Sequence, residues 1–447
     1  MLEIRTIRAE GLGDSSYLLA VDGVGLVVDP QRDIDRYLPI VDELGVEVRW
    51  VFDTHLHNDY VSGARHLARE LADPLVLPAG SAPAFRHRPA FHREALVDGD
   101  LSITPLHTPG HTPEHTSFLV THETDALVFT GGSLLGGSAG RSDLLGSERA
   151  PMLARLQHGS LRRLASLPDD TGVYPTHGAG SFCSASAAGR DTSTIGIEKR
   201  TNSSLQIEDE DDFVRSHLDG LPPFPTYYAY MGAINTSGGT PIDLDTPIPR
   251  LDPGTLEEIA GAVTIVDSRE KERFARGHLK GSIGVELRRD FAVWVGWLVP
   301  IDQDLVLVVE DRDSLSEARR QLGRIGYDRI VGYIDDVSDW SEDALDSYPI
   351  LDVEDFSQRL AEGAQMLDTR APDEWESGHV SGSVHAYVPD VAKGLPESID
   401  RDEPVLVACG TGYRATISAS LLQRAGYRPE VLVDAGVGDL SERSTVG

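Results

Sequence analysis

The chain has 447 residues, of which 40% are hydrophobic and 25% charged, and its net charge is −32. That length predicts two or three domains, and the acidity disfavours nucleic acid and anionic membranes as partners. No apolar run approaches the ~18 residues of a membrane-spanning helix.

Met1-Leu2-Glu3-Ile4-Arg5 lacks the basic region and apolar core of a signal peptide. The two cysteines, Cys183 and Cys409, lie far apart in different sequence surroundings. No disulfide framework is expected, and a reducing cytoplasm is the expected location.

Residues 1 to about 180 alternate β-type runs with turns and helical stretches. Gly25-Leu26-Val27-Val28, Pro74 to Pro78, Leu127-Val128-Phe129 and Gly172-Val173-Tyr174 read as strands, and 36–44 and 152–167 as helices. Such alternation predicts a layered α/β domain. Within it, the run Val48-Arg49-Trp50-Val51-Phe52 leads into Thr54-His55-Leu56-His57-Asn58-Asp59-Tyr60, and a helical run from Ala64 follows. In extended backbone, side chains at i and i+2 point the same way. Imidazole and carboxylate are ligands of zinc and non-haem iron, so His55, His57 and Asp59 are candidate metal ligands.

From Cys183 the chain turns polar. Ser184-Ala185-Ser186-Ala187-Ala188-Gly189 reads as a loop, and the acids of Ile207 to Phe213 suit the start of a helix. Leu221-Pro222-Pro223-Phe224-Pro225-Thr226 is expected to be irregular. The first domain is placed at 1–245. Two similar units follow, at 246–347 and 348–447, which is an internal repeat. Val263 to Arg269 precedes Gly277-His278-Leu279-Lys280-Gly281-Ser282, and Gln365 to Arg370 precedes Gly378-His379-Val380-Ser381-Gly382-Ser383. Strand–helix alternation over about a hundred residues suggests a small parallel-sheet domain for each.

In the second unit a β run ends at Cys409-Gly410-Thr411-Gly412-Tyr413-Arg414, and a helix is expected from Ala415. A thiol at a helix N-terminus faces unpaired N–H groups and the positive end of the dipole, both of which favour thiolate. The glycines let the backbone curl around sulfur, and Arg414 adds a fixed positive charge. Phosphatase loops have one more residue between Cys and Arg, so this spacing fits sulfur chemistry. The first unit reads Glu310-Asp311-Arg312-Asp313-Ser314-Leu315 at that place, without a thiol, and is expected to be catalytically dead.

The His55–Tyr60 stretch resembles the His-x-His-x-Asp-His signature of the metallo-β-lactamase superfamily. Ser15 to Leu19, Val27 to Pro30, Thr108-Pro109-Gly110-His111, Phe129-Thr130-Gly131 and Tyr174-Pro175-Thr176-His177 match its other conserved segments in order. The resemblance implies an αββα sandwich. It assigns His55, His57 and His111 to a first metal site and Asp59 and His177 to a second. Tyr60 replaces the signature's last histidine, and Gly132 replaces a carboxylate ligand. One metal ion per chain is therefore expected, with iron(II) preferred and zinc equally suited to three histidines. An aspartate restored at 132 is expected to strengthen metal retention.

The two C-terminal units resemble rhodanese domains. That likeness makes Cys409 the residue that would carry a persulfide, with Gly410, Thr411, Gly412, Tyr413 and Arg414 holding it. The whole arrangement resembles persulfide dioxygenase–sulfurtransferase fusions. It implies oxidation of a low-molecular-weight persulfide by O2 to sulfite, coupled to sulfane-sulfur transfer. Expected partners are a persulfide or thiol and thiosulfate or sulfite, with a homo-oligomer as an open alternative. Cys183 would lie beside the metal pocket, either binding sulfur or simply buried. The alternatives are a metal-dependent thioester hydrolase of the same superfamily and a sulfur-carrier or regulatory protein with a degenerate metal domain.

Overall fold

The computed structural model describes residues 2–71, 74–185 and 189–444. Of the small-residue loop read from the sequence, Ser186, Ala187 and Ala188 lie outside the described residues. The chain forms two compact units: Met1–Asp243 with Gly323–Gly326, and Leu244–Leu322 with Tyr327–Gly447.

The first unit contains two six-stranded sheets. One runs in the order Leu2–Ala9, Asp14–Val21, Val24–Val28, Glu47–Phe52, Leu75–Pro78, Arg88–Ala90. The other runs Ser193–Thr194, Gly172–Pro175, Asp125–Gly131, Thr116–His122, Leu101–His107, Leu96–Asp98. Alternation along each strand sorts the side chains between two faces. Leu19, Leu26 and Phe52 of the first sheet pack against Ile103, Phe118 and Phe129 of the second. Their neighbours Leu18, Val27 and Val51 face the helices Leu38–Leu44 and Ala64–Glu70 instead. The helix Ala150–Ala165 covers the outer face of the second sheet through Leu161 and Leu164, which meet Val128 and Val173. The result is an αββα sandwich.

Local chemistry fixes the connections. Asp22 and Gly23 both take positive φ, 50° and 85°, between the paired residues Val21 and Val24. This is the mirror-image turn that suits the strand twist, and Asp-Gly is a favoured pair for it. The acidic run starts a helix as expected: Asp209 caps Glu210–Leu218 by accepting from the Asp212 N–H at 2.9 Å. Among the described residues no helix is long and apolar enough to cross a membrane.

The second unit holds two parallel sheets of one design. The first runs Ile283–Gly284, Val263–Asp267, Asp304–Val308, Ile330–Ile334. The second runs Ile350–Leu351, Arg428–Leu432, Pro404–Ala408, Gln365–Asp368, Val384–His385. In the second sheet residues 409–412 join the strand Pro404–Ala408 to the helix Tyr413–Arg424. In the first, residues 309–311 join Asp304–Val308 to Arg312–Arg324, so that loop is one residue shorter. The fully buried Val309 takes the strand-end place held by Cys409 in the other copy. The sequence pattern puts Glu310 at that place; the backbone shifts the correspondence by one.

Candidate functional site

The strand Glu47–Phe52 delivers Asp53 to Tyr60 to one end of the first unit's sandwich. Hydrogen-bond partners fix which nitrogen of each histidine carries its proton. Thr54 donates its hydroxyl to Asp29 Oδ2 at 2.8 Å and therefore accepts from His55 Nδ1–H at 2.9 Å. His55 Nε2 is left with a free lone pair. Tyr60 donates its hydroxyl to the Asp29 carbonyl at 3.2 Å and accepts from His57 Nε2–H at 3.0 Å. His57 Nδ1 has no hydrogen-bond partner. Tyr60, which stands where the signature has a histidine, thus stacks on His57 at 4.3 Å and orients it.

Asp29 organises this turn. It accepts from the Thr54 N–H at 2.6 Å, from the hydroxyls of Thr54 and Thr176, and from His57. Its backbone φ of 52° is unusual for a non-glycine residue. Burial opposes its charge, but His57 and these donors hold its carboxyl below the ordinary range.

His111 donates Nδ1–H to the Arg141 carbonyl at 2.8 Å, and its buried Nε2 has no partner. Burial and the neighbouring His177 charge pull its pKa down to about 3, so the ring is neutral. A Cβ at Gly132 would lie 2.3 Å from His111 Cδ2, and one at Gly140 would lie 3.0 Å from His111 Nδ1. The imidazole is clamped between two glycines. Residue 132 therefore makes room for His111, and against the expectation that an aspartate there would strengthen metal retention, any side chain at 132 would collide with the ring unless the ring shifted.

His177 donates Nδ1–H to Asp14 at 2.8 Å, with Asp59 Oδ2 3.2 Å from the same nitrogen. Burial alone would lower the His177 pKa, but the two carboxylates raise it to about 10. Its Nε2 lies 3.4 Å from His55 Nε2. Two lone pairs that close repel unless a proton or a cation lies between them. Asp59 therefore sits behind His177, at Nδ1, rather than beside Nε2.

The ligand atoms of His55, His57 and His177 lie within 4.8 Å of one another, as do those of His111, His177 and Cys183, and those of Asp14, Asp59 and His177. Buried imidazoles with unpartnered lone pairs fit a zinc- or iron-class ion.

Sequence reasoning missed Asp14, Asp29, Arg141, Tyr227 and Asn235. Only Asp29 carried a local signal, at the end of an apolar strand before Pro30. Asn235, in the helix Tyr228–Ser237, donates to the carbonyls of His57 and Tyr60 at 2.8 Å each and accepts from the Ser62 N–H at 2.9 Å. Tyr227 donates its hydroxyl to the Asp59 carbonyl at 3.0 Å.

The second site lies in the second unit. Cys409 follows the strand Pro404–Ala408 and is nearly fully buried. Gly412, at φ 90°, turns its N–H onto the Cys409 sulfur at 3.2 Å. A Cβ there would approach Val433 Cα to 2.9 Å, so both φ and space call for glycine. Arg414 pairs through both terminal nitrogens with Glu374. Against burial, Glu374 and Cys409 hold its charge on. Tyr413 donates its hydroxyl to the Glu286 carbonyl at 3.3 Å, and Trp294 approaches its ring at 6.4 Å. The first copy thus contributes to the wall beside the cysteine loop.

Comparison with known proteins agrees with both halves. The model of the metallo-beta-lactamase superfamily matches residues 10–177, and that of the rhodanese-like domain matches 252–343 and 352–441. A probable metallo-hydrolase of Burkholderia pseudomallei is 31% identical over 270 residues, covering 50% of this chain and 88% of the relative. A hydroxyacylglutathione hydrolase of Methylobacillus flagellatus is 34% identical over 163 residues, 36% of this chain and 60% of that protein. The crystal structure of a metallo-beta-lactamase from Staphylococcus aureus aligns with a TM-score of 0.69 at 29% identity, covering 74% of this chain and 99% of that one. With its sandwich, its histidine-bearing strand end and these matches, the chain belongs to the metallo-beta-lactamase superfamily and carries two rhodanese-like domains after that fold.

Proposed function

We propose that this chain is a cytoplasmic enzyme of sulfur metabolism. In this reading its C-terminal rhodanese domain (348–447) moves sulfane sulfur through Cys409. Its N-terminal domain (1–245) oxidises a low-molecular-weight persulfide with O2, using one bound metal ion, iron(II) before zinc. The observation that carries the reading is the Cys409 loop: a buried sulfur at a helix start with a glycine N–H aimed at it.

The transfer step balances as follows. The Cys409 thiolate attacks the sulfane sulfur of thiosulfate, a new S–S bond forms, and sulfite leaves with the electron pair of the broken S–S bond. The amides of Gly410, Thr411 and Gly412 hold the persulfide anion, Tyr413 walls the pocket, and Arg414 neutralises charge from a position fixed by Glu374. An acceptor thiolate then takes the outer sulfur and restores the Cys409 thiolate.

In the N-terminal domain, His55, His57, His111 and His177 would hold the ion. Bound iron supplies Lewis acidity and access to O2. Asp14 and Asp59 keep His177 oriented through Nδ1, and Tyr60 does the same for His57. Thiosulfate–cyanide sulfur transfer, assayed beside O2 uptake with a small persulfide, tests both halves. Absence of both activities in metal-loaded protein refutes the reading.

A second reading is hydrolysis of a thiol ester. The likeness to hydroxyacylglutathione hydrolases favours it. O2-independent cleavage of a glutathione thioester by zinc-loaded protein would select it.

A further inference from the structure

We propose that Cys183 is a metal ligand, completing with His111 and His177 a sulfur-containing coordination set in the N-terminal domain. The inference deepens the metal-binding reading above and rests on it.

Cys183 is fully buried, and its sulfur shares a cluster with ring nitrogens of His111 and His177, all within 4.8 Å of one another; of these rings, His111 has an Nε2 without a partner. Two ligands bound to one ion at about 2.0–2.3 Å can stand no more than roughly 4.6 Å apart. At the tetrahedral angle that separation is about 3.5 Å, so the cluster would close by up to about 1 Å to embrace an ion. A cysteine buried only as a small apolar residue would face carbon. This one lies within reach of an imidazole Nε2 that is itself buried and unpartnered, and its sulfur stands 3.9 Å from the Tyr228 hydroxyl.

The backbone delivers both ligands together. Arg141 donates its N–H to the Cys183 carbonyl at 2.9 Å, and the Arg141 carbonyl accepts from His111 Nδ1. Gly140 bridges to Ser184, and Ala185 donates to the Ala139 carbonyl at 2.9 Å. Residues 139–141 thus set the sulfur and the His111 ring in one register. Gly132 supplies no donor where the family has a carboxylate, and His111 fills that space. A Cys183 thiolate would supply an anionic ligand beside His111 and His177. Coordination forms the metal–sulfur bond and releases the S–H proton to solvent, with no change of oxidation state.

The test uses the full-length chain with Cys409→Ser, in which Cys183 is the sole thiol. Load it with cobalt(II), measure bound cobalt by elemental analysis and record the near-ultraviolet spectrum. A sulfur-to-cobalt charge-transfer band with close to one bound ion supports the proposal, because no other thiolate exists in that chain. Adding Cys183→Ser should abolish the band and speed cobalt loss to a chelator at least about tenfold. Bound cobalt without the band in the Cys409→Ser chain overturns the Cys183 assignment alone. No bound cobalt overturns the metal-binding reading beneath it. The first measurement requires no change at Cys183, so it decides the matter even where the second variant fails to fold.

Discussion

Gly132→Ala tests how the metal-binding end of the first domain is built. The new Cβ would stand 2.3 Å from Cδ2 of His111, 2.7 Å from Nε2 and 2.8 Å from Cγ. Ordinary carbon contacts begin near 3.5 Å, so the ring must retreat by about 1 Å. It cannot do so freely, because Nδ1 is bound to the Arg141 carbonyl at 2.8 Å and Gly140 closes the other side. Overpacking costs about 1–3 kcal/mol, and a strained or broken buried hydrogen bond about 1–3 kcal/mol more. For a domain of this size that sum corresponds to a fall in Tm of at least about 4 °C. A ligand displaced by about 1 Å should also shed its metal about 10–100 times faster. Gly132→Asp should behave worse, since it adds a buried carboxylate to the same collision. As a control, Gly159→Ala places its Cβ in open space on the helix Ala150–Ala165 and should gain about 0.5–1 kcal/mol. The assays are thermal unfolding followed by a probe in the first domain and chelator-driven metal release. A Gly132→Asp protein that keeps its Tm and holds metal longer than the parent would refute the reasoning.

Three further outcomes are expected. Cys409→Ser should abolish thiosulfate–acceptor sulfur transfer while leaving metal content intact, because a hydroxyl cannot form a persulfide; retained turnover would remove the sulfur reading. Asn235→Ala deletes three buried hydrogen bonds around His57, Tyr60 and Ser62 and should cost about 2–4 kcal/mol with faster metal loss, read by denaturant unfolding and chelator kinetics. Burial, with the Arg141 charge behind it, lowers the His217 pKa to about 4. The folded state then binds that proton more weakly than the unfolded state, so stability is full above pH 6.5 and falls as pH drops towards 4. The loss should be about 2 kcal/mol between pH 7 and pH 5, and His217→Asn should flatten that part of the curve.

The sandwich and the repeated parallel sheets were legible because their determinants are local. Alternating apolar strands, the Asp22-Gly23 turn and the strand–loop–helix around Cys409 each declare themselves within about ten residues. The histidines that cluster at the end of the first unit's sandwich were legible for the same reason. What the sequence hid depends on distance or on space. Gly132 reads as a lost ligand, and only the position of the His111 ring reveals that a side chain would collide there. Asp14 and Asn235 carry no motif, because their partners His177 and His57 lie far along the chain. The counterpart of Cys409 is Val309 rather than Glu310, since the first rhodanese loop is shorter by one.

The hydrogen bonds from Asn235 to the His57 and Tyr60 carbonyls span 178 and 175 residues of sequence. During synthesis the histidine turn leaves the ribosome long before the helix that caps its backbone. Until residues 227–235 emerge, the carbonyls of His57, Asp59 and Tyr60 lack the partners they have in the finished fold. The metal-binding end is therefore among the last parts of the first domain to become rigid. A fragment ending at His177 would carry His55, His57, His111 and His177 yet fold with a loose, poorly retentive pocket.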